Sequence, residues 1–290
     1  MRALAFLALL AAPAWGQDRP VIVADSYAVA QFAQALAGDA AEVRLAVPEG
    51  RDPASWRPSL SEIVEIQAAD LIVLNGAGLS DWTTRAALPR SRTVDTARTL
   101  SDALIATDTI THSHGAEGSH SHEGIDPHIW LDLDLAAEQA EALAAAMARA
   151  LPDGPVAANL DALLAELDRL DAAGDALVEG MPVPAITSHP RYAYLGRAYG
   201  LQVTELDWGA GVAPEAAQLA ELERAAAETG ARLLIWEAEP PAAARDAVAA
   251  LGLAQAVVPA LAIPPAEGDF VSAVEAGLVA LAEALAAVSP

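Results

Sequence analysis

The chain has 290 residues, 54% of them hydrophobic, and a net charge of −24. That is enough for one large domain or two of about 130 residues, and too apolar a composition for disorder. So acidic a chain lacks the clustered Lys and Arg that neutralise phosphates, which argues against a nucleic-acid partner.

All sixteen basic residues are arginine. Without lysine, neither a Schiff base nor a phosphate-binding P-loop is available. Cysteine is also absent, which excludes disulfides, thiol nucleophiles and thiolate metal sites. A metal would have to be held by histidine, carboxylate and water.

The opening "MRALAFLALLAAPAWGQDRP" has a positive charge at Arg2 and an apolar run from Ala3 to Ala12. Ala14, Trp15 and Gly16 then make a small-x-small cleavage site, so residues 1–16 read as a secretory leader. The apolar run is too short to span a bilayer. With no cysteine after the cut for a lipid anchor, the expectation is a soluble periplasmic protein that is not a lipoprotein.

After the leader, short apolar runs alternate with helical stretches. "PVIVADS", "EVRLAVP", "DLIVLNGAG" and "RTVDTA" read as strands, and "AVAQFAQALAG" and "LSEIVEIQAA" as helices between them. Such alternation predicts a mainly parallel sheet flanked by helices. Residues 111–124, "THSHGAEGSHSHEG", break the order with Gly, Ser and His and read as a mobile loop. "DLAAEQAEALAAAMARAL" resumes as a helix.

From residue 155 to 180, Leu160, Leu163, Leu164, Leu167 and Leu170 form one helical stripe. At 1.5 Å per residue such a helix reaches roughly 35 Å, enough to join two domains. Alternation then restarts, with strands at "PAITSHP", "LQVTELD", "ARLLIWEAEP" and "AQAVVPAL" and a closing helix, "DFVSAVEAGLVALAEALAAV". The predicted organisation is an N-terminal α/β lobe (17–154), a connecting helix (155–180) and a C-terminal α/β lobe (181–290).

The chain has six histidines, of which His112, His114, His120 and His122 lie in the interrupting segment beside Glu117 and Glu123. So dense a supply of imidazole and carboxylate points to metal handling. His128 follows in "IDPHIWLD". His189 in "TSHPRYAYLGRAYGL" falls where a strand ends and a helix begins, the edge at which open α/β sheets bind ligands.

"DPHIWLD" and "TSHPRYAYLGRAYGL" resemble two metal-ligand motifs of the ZnuA-like zinc-binding proteins of bacterial ABC importers. The resemblance extends through "EGRDPASWRPSLSEI", "ADLIVLNGAGLSDW", the long helix and "WEAEP", with the histidine-rich segment where many relatives carry theirs. It implies two α/β lobes joined by a rigid helix and a zinc ion held in the cleft between them. His128 would bind from the first lobe and His189 from the second, and the cargo would pass to a permease of the inner membrane; in this chain we expect a monomer.

Two positions depart from the family pattern. Ala54 stands where histidine is usual and Val258 near where aspartate is usual, and neither side chain can bind a metal. Replacement donors would come from the histidine segment or from Glu237 and Glu239, unless those glutamates are solvated or paired with arginine. One alternative is a member with a weakened cleft that buffers or passes on zinc through its histidine segment. Another is a zinc hydrolase, but "HSHEGIDPH" has the wrong spacing for one, and H-E-x-x-H and G-x-S-x-G are absent. No enzymatic activity is therefore expected.

Overall fold

The computed structural model describes residues 19–113 and 119–288, and over 108–113 and 119–123 the backbone alone. The leader with its cleavage site, His114 and Glu117 lie outside the described residues.

Two four-stranded parallel sheets organise the chain. The first has the order β2-β1-β3-β4, from β1 (Val21–Ala24), β2 (Glu42–Leu45), β3 (Leu71–Leu74) and β4 (Thr93–Asp95). Its middle strands, VIVA and LIVL, are the continuous β-branched and aliphatic runs that a sheet covered on both faces requires. Helices α1 (Tyr27–Ala37) and α2 (Leu60–Gln67) connect them, the latter started by a capping box between Ser59 and Glu62.

The second sheet has the order β10-β9-β7-β8, from β7 (Val183–Thr187), β8 (Leu201–Glu205), β9 (Leu233–Trp236) and β10 (Ala254–Val257). Read from its other edge, this is the strand order of the first sheet. In both, chain direction reverses beside the first strand, between β1 and β3 and between β7 and β9. Those reversals place a crevice at the carboxyl ends of the strands.

Between the sheets come β5 (Ala106–Ser113) and β6 (Ser119–Ile125), then α3 (Leu133–Ala150) and α4 (Val156–Asp175). Where the histidine segment is described, at residues 111–113 and 119–124, it is not the loop its composition suggested. There the backbone forms an antiparallel ribbon in which His112 pairs with His120 and Ile110 with His122. Thr and Ile supply β-propensity there, but the alternating polar residues hid it, since no apolar face marks a strand.

Helix α4 buries Val156, Leu163, Leu167 and Leu170 on one side and packs against α1, α3 and α8 (Phe270–Val288). Leu160 and Leu164 of the same stripe stay half-buried. Gly174 near its end admits the Tyr199 ring, into which any Cβ would run. Helices α5 (Ala193–Ala198), α6 (Ala216–Thr229) and α7 (Ala242–Ala250) complete the second half. One continuous apolar core runs from Ile22 and Phe32 through α3 and α4 to Leu233 and Leu281, so the two sheets share an interior. Phe32 on α1 meets Phe270 on α8 edge to face, with centroids 5.1 Å apart.

Candidate metal site

His128 lies just past β6, at the start of a 3-10 turn (Ile129–Leu131), and is 3% exposed. The carboxylate of Asp126 organises this loop. Its Oδ1 accepts the backbone N–H of His128 at 2.9 Å and pairs with ring Nδ1 at 2.8 Å. Because a carboxylate accepts, Nδ1 carries the proton and the lone pair of the neutral ring falls on Nε2. A carboxylate behind an imidazole is the arrangement that fixes ring orientation and raises ligand basicity in metal sites.

The loop is anchored from behind. Asn75, at the end of β3, donates Nδ2 to the Pro127 carbonyl at 2.9 Å. Its own N–H is accepted by Asp25 Oδ1 and its Oδ1 receives Gln139 Nε2. His128 therefore follows the ribbon and not a strand of the first sheet, whereas His189 follows a strand of its own sheet.

His189 stands two residues beyond β7, at the crevice of the second sheet, and is 1% exposed. Its Nδ1 donates to the Trp208 carbonyl at 2.9 Å, with Asp207 Oδ1 at 3.5 Å, and the same tautomer follows. Both imidazoles are thus set to offer Nε2.

Ala54 and Val258 are both buried. Ala54 donates its N–H to Asp52 Oδ1, while Val258 gives its carbonyl to the Tyr192 hydroxyl at 2.6 Å. Glu237 pairs with Arg191 Nε at 3.2 Å. Glu239 pairs through both oxygens with Arg245, at 2.8 and 2.7 Å, and this salt bridge holds the Glu239 carboxyl below its ordinary range. Both glutamates are therefore paired with arginine, and Glu239 is largely exposed as well.

Four side chains central to this geometry escaped the sequence reading. Asp126 and Asp52 stand beside quoted motif positions. Arg191 is two residues past His189, yet its partner Asp52 is 139 positions away. Glu205 closes β8, where its carboxylate accepts the Tyr192 N–H at 3.1 Å. Burial lifts the Glu205 carboxyl to about 7, and the charge of Asp126 adds to that.

Among the described residues, no three of His, Asp and Glu gather as a metal-holding group. A wide, alanine-lined groove between β10 and α8 is bordered by Glu237 and Glu239 but by neither histidine. The chemistry on offer at the crevices is two separately positioned imidazoles.

Comparison with known proteins gives these features a context. The high-affinity zinc uptake protein ZnuA of Bacillus subtilis is 28% identical over 233 residues, 76% of this chain and 71% of that protein. The zinc-binding lipoprotein AdcA of Streptococcus pneumoniae is 28% identical over 210 residues, 69% of this chain but 42% of AdcA. The Zn(II)-bound ZnuA-like domain of AdcA superimposes with a TM-score of 0.74 at 23% identity, covering 92% of this chain and 99% of that one. A crystal structure of ZnuA gives 0.70 at 25% identity, covering 92% and 100%. The family model of ZnuA, the periplasmic component A of the zinc-uptake complex, matches residues 22–284, and the chain belongs to that family of metal-binding proteins serving ABC uptake.

Proposed function

We propose that this protein captures zinc between its two lobes in the periplasm and delivers it to an ABC permease of the inner membrane. The observation that carries the reading is the pair His128 and His189, each buried, each tied through Nδ1 and each presenting Nε2. Imidazole donors favour zinc over manganese, which prefers oxygen. The relatives' names, ZnuA and AdcA, point to the same metal.

Two imidazoles are half of a four-donor zinc site. With Ala54 and Val258 unable to contribute, at least one further donor comes from among His112, His114, His120 and His122. Glu237 and Glu239 rank behind them because each would have to leave an arginine. The leader-like residues 1–16 are consistent with the export that this reading requires. The lobes are residues 17–154 and 181–290, joined through 155–180.

The test is a zinc titration of the mature protein beside His128→Ala, His189→Ala and a deletion of residues 111–124. Each single substitution should cost at least about 100-fold in affinity, more than the loss of a supporting residue. Unchanged affinity in either sinks the assignment. The occupied carboxylates and the missing donors at residues 54 and 258 favour one second reading, a buffer that holds zinc on the histidine segment. Under it the deletion abolishes binding and both single substitutions are silent.

A further inference from the structure

We infer that Arg191 is a positioning residue, a built-in cationic tie that fixes the spacing of the cleft whatever cargo it holds. Its guanidinium, with a side chain 6% exposed, joins Asp52 of the first lobe through Nη2 and Glu237 of the second through Nε. Three loops meet on this one group. Asp52 shapes the turn that carries Ala54, by accepting the Ala54 N–H at 2.8 Å. Arg191 belongs to the His189 loop, and its own N–H is accepted by the His189 carbonyl. Glu237 follows β9 and donates its N–H to Ser188 Oγ at 3.0 Å.

An arginine suits the task because its fork binds two carboxylates at once and never loses its charge. Burial opposes that charge, but Glu237 and Asp52 outweigh it and hold the pKa above its ordinary value. Elsewhere the lobes are joined by Trp130 Nε1 donating to the Ala260 carbonyl at 2.8 Å, by Arg197 donating to Asp132 and the Ala103 carbonyl, by the Tyr194 and Tyr199 hydroxyls accepting the N–H groups of Ile105 and Leu133, and by their common core. Arg191 adds a tie at the His189 crevice. A cleft preset in this way loses less conformational freedom on binding.

Amide hydrogen exchange tests the tie on the metal-free protein, where no cargo reading enters. In the wild type, the amides of Ala54 and Glu237 should exchange slowly, and zinc should protect them little further. Arg191→Met should speed both by tenfold or more while leaving α3 unchanged, and zinc should restore part of the protection. Arg191→Lys should fall between. Asp52→Asn, which keeps an acceptor for Ala54, serves if the methionine variant does not fold, and should speed Ala54 and Glu237 in the same way. Wild-type rates at both amides in a folded variant overturn the proposal. So does a wild type whose two amides exchange as fast as the variant's until zinc arrives. Loss of zinc binding in His128→Ala with the tie intact would separate the two readings.

Discussion

His128 and His189 present the same atom by different means. Behind His128 stands a buried carboxylate in its own loop, backed by the Asn75, Asp25 and Gln139 network. Behind His189 stands a neutral backbone carbonyl, with Asp207 farther off and its side chain 42% exposed. A carboxylate pulls on the Nδ1 proton and makes Nε2 a stronger donor, whereas a carbonyl mainly aims the ring. The first lobe thus supplies basicity and the second supplies placement.

Breaking the support of the first loop should have the largest effect. Asn75→Ala removes the donors to the Pro127 and Gly76 carbonyls and strands part of Gln139. It should cost about 2–3 kcal/mol in denaturant unfolding, and zinc affinity should fall with it. Asp126→Asn keeps an acceptor for the His128 N–H but loses the charge behind the ring. Zinc affinity should drop about 10–100-fold with little change in stability.

Glu205 is a carboxylate that burial holds above its ordinary pKa, with the charge of Asp126 adding to it. Its folded pKa of about 7 exceeds the ordinary 4.5, so its contribution to stability is complete below 4.5 and lost as pH rises through about 7. Glu205→Gln keeps the acceptor for Tyr192. Thermal unfolding should show a gain on the order of 1–2 kcal/mol over wild type at about pH 8, and none at about pH 4. The smallest effect belongs to the second loop. Asp207→Asn should change zinc affinity about threefold or less, as suits a half-exposed partner. A loss as large as that of Asp126→Asn would erase the contrast between the loops.

Sequence legibility followed the range of the interaction. The strands VIVA and LIVL announce themselves by composition, and His128 and His189 by their place in quoted motifs. Asp126 was readable in principle, being two residues from its partner. The pairing of Arg191 with Asp52, and of Asn75 with Pro127, joins residues 139 and 52 positions apart, which no local pattern encodes. The ribbon was missed for a different reason. Its backbone bonds are sequence-independent, and its alternating His, Ser and Thr leave no apolar face to betray the strand period.

His128 also has an indole for a neighbour, and His189 is bonded to the backbone of a tryptophan. The Trp130 ring sits 5.5 Å from His128, and Trp208, whose carbonyl orients His189, lies 5.5 Å from Trp236. All three tryptophans are buried. Any ion that draws charge from the His128 imidazole changes the field felt by a fluorophore a few ångströms away. The protein therefore carries its own optical gauge at the His128 crevice, open to unlabelled emission spectroscopy, and Trp130→Phe would assign the signal to it.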